Sequence, residues 1–159
     1  MKVSILCVGK IKEKFYTDAI SEYAKRMKRF ADFEIVEIPD ERIPDNASKK
    51  EKELIKEREG EKILQKIGPQ DHVIAMCIDG RQYESTELAA KMSNLFTQGK
   101  SNITFLIGGS LGLHPDVLKR ANERMSMSKM TFPHQLARVM LLEQLFRAAK
   151  INAGERYHK

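Results

Sequence analysis

Cysteine occurs only twice in the 159-residue sequence, and no apolar run approaches the roughly 18 residues that a membrane-spanning helix needs. Cys7 and Cys77 are far apart and each lies inside an apolar run, so we expect buried thiols of a reducing compartment, not a disulfide or a metal site. The opening apolar stretch is too short for a signal peptide and runs directly into the charged segment 10–14. Together these absences predict a cytoplasmic protein.

Acidic residues are scarce at only one end of the chain. The sequence holds 28 Lys and Arg against 22 Asp and Glu, a formal net charge of +6. Residues 1–118 contain 19 of each sign, whereas residues 119–159 contain 9 basic and 3 acidic side chains. A basic end on an otherwise neutral chain favours a polyanionic partner, nucleic acid first and a membrane surface second. The length favours a single domain, residues 1–159.

Short apolar segments alternate with longer helical patterns. Four segments have the length of strands and are rich in Val and Ile: 3–8, 33–38, 73–78 and 103–107. Their near-continuous apolarity is typical of parallel strands that are covered on both faces. The order β-α-β-α-β-α-β predicts an α/β fold.

Three segments between and after these strands predict helices. An apolar stripe marks residues 15–30, and Ser85 and Gly99 are interpreted as the cap and the end of another helix. The mixed-charge segment 49–62 predicts a solvated helix with i,i+4 charge pairs, with an interaction arm as the less favoured alternative. We expect a break at Gly60, because the apolar residues on its two sides do not share a helical face.

Three glycines follow the fourth predicted strand, at Gly108, Gly109 and Gly112. Glycine lets a ligand or a second segment approach the backbone closely, but it equally serves a tight strand-to-helix turn, and the local pattern does not decide between these. The spacing matches neither a P-loop nor a dinucleotide-binding fingerprint.

The segment 125–132, Met-Ser-Met-Ser-Lys-Met-Thr-Phe, alternates apolar and small polar residues like a strand. Its three methionines could line an adaptable ligand pocket or fill gaps in the core, and taken alone the pattern favours the core.

A final helix is expected from about Pro133 to Ile151. Arg138 falls on its apolar side, so this cation either forms a structural ion pair or lines a site. The chain then ends Glu-Arg-Tyr-His-Lys, and Tyr157 and His158 are suited to stacking on a base and to proton transfer. A frayed, inactive tail is the alternative interpretation.

Taken together, these residues resemble the SPOUT (knotted α/β) methyltransferases, and more closely the ribosomal RNA large subunit methyltransferase H family. The resemblance covers essentially the whole chain and rests on these stretches: 5–10, Asp79-Gly80 with Tyr83, Ser85 and Glu87, 106–109 with Gly112, 132–138, 143–148 and 157–159. Met76, Phe146 and Lys159 stand where the family is expected to have Leu, Tyr and Arg, and Arg156 stands where it often has Pro.

The resemblance implies a mostly parallel sheet with helices on both faces and a C-terminal trefoil knot that holds S-adenosylmethionine. Carried onto this sequence, the cofactor would contact backbone groups of three loops. The implied cofactor-binding residues are Met76, Gly108, Met127, Ser128, Lys129, Met130, Thr131 and Phe132.

The implied reaction is methylation of N3 of a pseudouridine in 23S ribosomal RNA on the assembled ribosome. His158 is the candidate proton acceptor, Tyr157 the candidate for stacking, and Arg138 the candidate for stabilising negative charge on the base. The implied partners are the large subunit or the 70S ribosome and a second copy of the chain, with neither DNA nor a membrane.

Two other functions remain open at this point. A non-enzymatic RNA- or ribosome-binding module would use the same basic end without binding S-adenosylmethionine. A Rossmann-like nucleotide enzyme would bind a dinucleotide instead, although the glycine spacing already disfavours it.

Overall fold

A five-stranded sheet forms the middle layer of the computed structural model, which describes all residues, 1–159. The strands are β1 (Lys2–Val8), β2 (Asp32–Ile38), β3 (His72–Gln82), β4 (Asn102–Ile107) and β5 (Glu123–Ser126). Their order is β2-β1-β4-β3-β5, and every neighbouring pair is parallel. The predicted α/β class is confirmed, and the sheet is parallel throughout.

Helices cover both faces of this sheet. They are α1 (Lys14–Met27), α2 (Lys49–Lys66), α3 (Ser85–Thr97), α4 (Pro115–Arg120) and α5 (His134–Asn152). Helices α1, α3 and α5 pack together on one face, and α2 and α4 lie on the other. None of the five is long and apolar enough to cross a membrane.

Alternation within the central strands produces the two cores. In β1, Val3, Ile5 and Cys7 point into the larger core under α1, α3 and α5, whereas Leu6 and Val8 point into the smaller core under α2 and α4. Burying one such aliphatic side chain stabilises the fold by about 1.5–3 kcal/mol. Both faces are therefore apolar, which explains why these strands read as continuous apolar runs.

The expected break at Gly60 is wrong, because α2 continues past this residue without interruption. A Cβ atom at Gly60 would lie 3.0 Å from Cβ of His114 and 3.2 Å from a methyl carbon of Val117, so glycine allows α2 to approach α4 closely. The prediction of i,i+4 charge pairs in α2 is also wrong. The i,i+4 ion pairs of this protein lie in α1 and α5, and none forms within α2. Ser48 and Glu51 form a capping box that fixes the start of α2.

The cap predicted at Ser85 is wrong as well. Glu84 occupies the N-cap position of α3, and the Ser85 hydroxyl donates a hydrogen bond of 2.6 Å to the side-chain oxygen of Gln144 in α5. Ser85 thus joins two helices instead of capping one. Gly99 follows the end of α3 as expected, with φ at +85°.

Strand β3 pairs with β5 in two registers. Met76 and Arg81 both lie opposite Met125, and the residues between them bulge out of the sheet. A Cβ atom on Gly80 would lie 2.6 Å from the backbone nitrogen and the carbonyl carbon of Met125, so only glycine permits this contact between two backbones.

The two cysteines differ in burial, because Cys77 lies in the bulge of β3 and Cys7 does not. Cys7 is fully buried in β1, and burial raises the pKa of its thiol to about 12. Cys77 is only half-buried, and the side chain of Ile78 is 57% exposed, because the chain leaves the sheet at this point. The prediction of a covered strand that runs to Ile78 therefore holds for its first part only.

Arg138 connects α5 to the edge of the sheet. Its side chain is 2% exposed and donates hydrogen bonds to the Glu37 carboxylate of β2 at 2.8 Å and to the Gly9 carbonyl at 3.2 Å. The structural ion pair considered for this residue is therefore present.

Replacing Gly80 with alanine is expected to lower the free energy of unfolding by about 2 kcal/mol, because the added methyl group overlaps the Met125 backbone. Urea unfolding followed by circular dichroism measures this loss. Gly99→Ala is the matched control, since no atom lies within 4 Å of a Cβ atom there and only the positive φ is unfavourable. A loss at Gly80 no larger than at Gly99 would contradict the close contact.

Glu37→Gln is expected to lower the free energy of unfolding by about 2 kcal/mol, because it leaves a buried guanidinium without a counter-charge. The same urea titration measures this loss. The control is Glu34→Gln in the same strand, where the carboxylate pairs with Lys2 at the surface and a much smaller loss is expected. Equal losses at the two positions would show that Arg138 does not depend on Glu37.

Candidate functional site

A cavity of about 620 Å³ opens at the carboxyl ends of β4 and β5, beside the bulge in β3. Ligands of open parallel sheets bind at this edge, and the volume is suitable for a small-molecule cofactor. The lining is more apolar than polar and comes from α2, β3, the glycine loop after β4, the segment after β5 and the start of α5. The main stretches are 76–79, 107–109, 112–113, 124–128 and 130–132.

The glycine loop is both a tight turn and a wall of this cavity. Gly112 has φ at +81° and donates a backbone hydrogen bond of 3.0 Å to the Gly109 carbonyl. A Cβ atom on Gly108 would lie 2.9 Å from the carbonyl carbon of Gly112, so the turn closes only without a side chain. The tight turn is therefore confirmed. All three glycines also line the cavity, and the approach of a ligand to them stays a prediction.

The methionine-rich segment forms the opposite wall. Only its first residues belong to a strand, because β5 ends at Ser126 and the chain then turns. The Ser126 hydroxyl donates to the Ser128 carbonyl at 2.9 Å and accepts from the Ser128 amide at 3.2 Å, which fixes the turn. Met125 belongs to the core and Met127 packs against it, and both also line the cavity, as does Met130, which is 72% exposed. The segment thus serves both the core and the pocket.

Seven of the eight residues predicted to bind a cofactor line this one cavity: Met76, Gly108, Met127, Ser128, Met130, Thr131 and Phe132. Lys129, in the same turn, is exposed and is not among the lining residues. The structure therefore brings together three segments that lie far apart in the sequence. Their binding of a cofactor stays a prediction.

Three charged residues and one histidine of the lining were not predicted as site residues. Lys56, Asp79 and Arg124 bring charges to the cavity, with 3.5 Å between the guanidinium of Arg124 and the carboxylate of Asp79. His134 begins α5 and also lines the cavity. In the sequence, His134 follows Pro133 as part of a helix start, and this signal reveals the helix but not the pocket.

The C-terminal tail packs along α5 of its own chain. The Tyr157 hydroxyl donates to the Glu143 carboxylate at 3.2 Å, and its ring meets the Phe146 ring edge-on at a centroid distance of 5.0 Å. Burial and the nearby Glu143 carboxylate raise the pKa of the Tyr157 phenol. The Arg147 guanidinium lies 3.3 Å from Nδ1 of His158.

The three predicted catalytic residues are not brought together within one chain. Arg138 is buried against Glu37, while Tyr157 and His158 lie on α5, and none of the three lines the cavity. A role for them in catalysis stays a prediction.

The fold resembles that of solved methylase-family structures. A probable methylase family protein from Haemophilus influenzae Rd KW20 aligns with 99% of this chain and 70% of its own, at a TM-score of 0.54 and 15% identity. A putative methylase family protein from Neisseria gonorrhoeae aligns with 91% of this chain and 81% of its own, at a TM-score of 0.51 and 11% identity. These likenesses concern the fold alone.

Sequence comparison identifies the family. The model described as "Predicted SPOUT methyltransferase" matches residues 1–158. Proteins called ribosomal RNA large subunit methyltransferase H from Clostridium novyi (strain NT) and Bacillus thuringiensis (strain Al Hakam) are 55% and 52% identical over 159 residues, which is 100% of each chain. The chain therefore belongs to the SPOUT methyltransferases and, among them, to the ribosomal RNA large subunit methyltransferase H family.

Proposed function

We propose that residues 1–159, as one domain, transfer a methyl group from S-adenosylmethionine to N3 of a pseudouridine in 23S ribosomal RNA on the assembled ribosome. The observation that carries the proposal is the cavity between the glycine loop and the methionine-rich segment, in a chain that matches its relatives over the full length. The proposal places the protein with ribosomes in the cytoplasm.

A C-terminal trefoil knot is part of this proposal. The path from β4 to β5 crosses β3, which lies between them, and Gly80 of β3 is pressed against the backbone of Met125 in β5. This order of strands and close approach of backbones are what threading of the C-terminal part through a loop would require.

The cavity fits S-adenosylmethionine chemically. An adenine and a sulfonium cation suit an apolar, methionine-rich lining, and the two cations of the lining, Lys56 and Arg124, are offset by Asp79 next to Arg124. Backbone groups at Met76, Gly108 and the segment 127–132 would hold the cofactor. When bound, S-adenosylmethionine supplies a methyl group on a positively charged sulfur, which is ready for in-line displacement.

The protein's own task is to align the acceptor and to remove its proton. N3–H of a uracil-like ring is weakly acidic, and its nitrogen attacks only after the proton leaves. We assign the proton acceptor to His158 and base stacking to Tyr157. Arg138 would act on the base only if it exchanged its contact with Glu37, so its first role is to hold α5 in place.

A homodimer would bring Tyr157 and His158 of one subunit to the cavity of the other. Because the tail lies away from the cavity of its own chain, the proposal has one subunit bind the cofactor while the partner presents Tyr157 and His158. A dimer would also enlarge the RNA-binding surface.

The cations available for RNA form a basic surface, which we define as Lys25, Lys28, Arg156 and Lys159. These four are exposed and belong to no ion pair, unlike Arg26, which pairs with Glu22. A salt bridge between Arg29 and Glu155 joins the segment after α1, next to Lys28, to the tail, next to Arg156. Phosphate contacts at this surface would make RNA binding weaken steeply with salt.

Cofactor binding is tested by calorimetric titration with S-adenosylmethionine. We expect binding by the native protein and at least about tenfold weaker binding by Gly108→Ala, because the methyl group forces the glycine loop open. Gly99→Ala, outside the cavity, is the control and should bind like the native protein. No binding by the native protein would favour the non-enzymatic RNA-binding alternative.

The methylated base is identified by mass-spectrometric mapping of ribosomal RNA from cells that lack this protein. One missing methyl group on a large-subunit pseudouridine, restored by the native gene, is the expected result. A complete methylation pattern would overturn the proposed substrate.

Removing the imidazole by His158→Ala is expected to lower methyl transfer at least about 100-fold, while the Kd for S-adenosylmethionine stays within about twofold. Radiolabelled methyl transfer to ribosomes and calorimetry measure the two quantities. His114→Ala serves as the control, because His114 lies at the start of α4 and does not line the cavity. Unchanged turnover in His158→Ala would exclude the tail as the catalyst.

Sharing of the site between subunits is tested by mixing His158→Ala with Gly108→Ala after unfolding and refolding them together. If each site takes its cofactor loop from one chain and its tail from the other, random pairing should restore roughly a quarter of the native activity. The assay keeps S-adenosylmethionine well below the Kd of the native protein, so that Gly108→Ala alone should retain at most about a tenth of the native activity and His158→Ala alone about a hundredth. A mixture no more active than the average of its two components would show that both parts act within one chain.

A further inference from the structure

Phe15 is an apolar residue that the fold leaves uncovered. It begins the apolar stripe of α1, in which Ala19 and Tyr23 are half-buried and Met27 is buried, yet its own side chain is 67% exposed. Its ring contacts the ring of Tyr16, at a centroid distance of 4.4 Å. The start of α1 therefore presents an aromatic ring to the surroundings of the protein.

The segment that leads to Phe15 is fixed beside the cavity. The carboxylate oxygen of Glu37 that pairs with Arg138 also accepts a hydrogen bond of 3.3 Å from the Ile11 amide, and Arg138 binds the Gly9 carbonyl. A Cβ atom on Gly9 would lie 3.8 Å from Cε1 of His134, which lines the cavity. Phe15 is thus carried by a turn that borders the cofactor site.

Two unpaired cations precede the exposed ring. Lys10 and Lys12 are exposed and belong to no ion pair, whereas Lys14 is paired with Asp18 at 2.6 Å. Glu13 lies among them and offsets part of their charge. An exposed aromatic ring beside free lysines is typical of surfaces that bind single-stranded nucleic acid, in which the bases stack and the phosphates are paired.

Helix α1 connects this ring to the basic surface. Lys28, which belongs to the basic surface, follows the last residue of α1 and lies about 20 Å from Phe15 along the helix axis. The exposed carboxylates between them, Asp18 and Glu22, are each paired within the helix, with Lys14 and Arg26. An RNA strand that contacts the basic surface can therefore follow α1 to the cavity without meeting an unpaired carboxylate on this helix.

We propose that Phe15 stacks on an unpaired nucleotide of ribosomal RNA close to the acceptor base, while Lys10 and Lys12 contact its flanking phosphates. This inference rests on the proposed function and adds to it a contact that positions the RNA at the cavity.

The same observations disfavour a membrane or a second copy of the chain as the partner of Phe15. A helix that lies on a membrane needs a broad apolar face, but the other exposed residues in the first half of α1 are charged or polar: Lys14, Asp18 and Ser21. In a symmetric contact between two copies, the same lysines of both chains would face each other.

Stacking is tested by methyl transfer at increasing ribosome concentration. Phe15→Ala should raise the KM for ribosomes about tenfold, with kcat and the Kd for S-adenosylmethionine within about twofold of native values. Phe15→Tyr should keep the native KM, and Phe15→Leu should resemble Phe15→Ala, because leucine is apolar but has no flat ring. Leu54→Ala, at an exposed apolar position of α2, is the control and should behave like the native protein.

The phosphate contacts are tested by the salt dependence of the same KM. Lys10→Gln and Lys12→Gln should each lower the slope of log KM against log salt concentration by about 1. Lys100→Gln is the matched control, because Lys100 is exposed and unpaired but precedes β4 at the opposite edge of the sheet. An unchanged slope in both test variants would exclude the phosphate contacts.

The position of the nucleotide is tested by replacing Phe15 with p-benzoylphenylalanine and irradiating the protein on 70S ribosomes. The expected product is a crosslink to an unpaired nucleotide of the large-subunit RNA. Circular dichroism and sedimentation verify that each variant is folded and keeps the native oligomeric state.

The possible failures are distinguishable. A native KM in Phe15→Ala, a native KM in Phe15→Leu, or crosslinks only to ribosomal proteins would each overturn this inference while the proposed function stands. So would a changed oligomeric state in Phe15→Ala, or sedimentation with phosphatidylserine vesicles that is lost in this variant. Absence of methyl transfer to ribosomes by the native protein would overturn the proposed function and this inference with it.

Discussion

The close contact between the backbones of Gly80 and Met125 is the constraint on which the site depends. Strand β3 pairs with β5 before and after its bulge, and the absence of a side chain at Gly80 allows the second pairing. This pairing fixes the end of β5 and hence the start of the turn at Ser126. The segment that follows then lies opposite the glycine loop, and the cavity is the space between the two.

Arg138 links this cavity to the rest of the fold. Its guanidinium binds Glu37 and the Gly9 carbonyl, so the start of α5 is held against the turns after β1 and β2. One helical turn earlier, His134 faces the cavity beside the same guanidinium. A single buried cation thus has a structural role in positioning α5 and an electrostatic effect on the cavity wall.

The tail shows how a site can be incomplete in one chain. Tyr157 is held by Glu143 and Phe146, and His158 lies beside Arg147, so both residues are ordered on the surface of α5. Their position gives a physical reason for the proposed dimer, because methyl transfer needs donor and acceptor groups within contact distance. The same helix carries the tail that, with the end of α1, forms the basic surface.

The sequence predicted the elements that depend on local pattern. The apolar strands, the end of α3 at Gly99 and the burial of Arg138 follow from periodicity and residue type, and the structure confirms them. Local pattern failed where a distant segment decides the outcome. The local pattern predicted a helix break at Gly60, but this glycine lets α4 pack closely against an unbroken α2. The pattern predicted a helix cap at Ser85, but its hydroxyl donates a hydrogen bond to Gln144 of α5.

The candidate site divides in the same way. Recognisable motifs in the sequence identified the glycine loop and the segment 127–132, because the family resemblance is carried by consecutive residues. Only the tertiary structure shows that they line one cavity, that His134 belongs to its wall, and that His158 lies outside it beside Arg147. The physical reason is that backbone propensity and burial are encoded within a few residues, whereas the environment of a side chain depends on segments that only folding brings into contact.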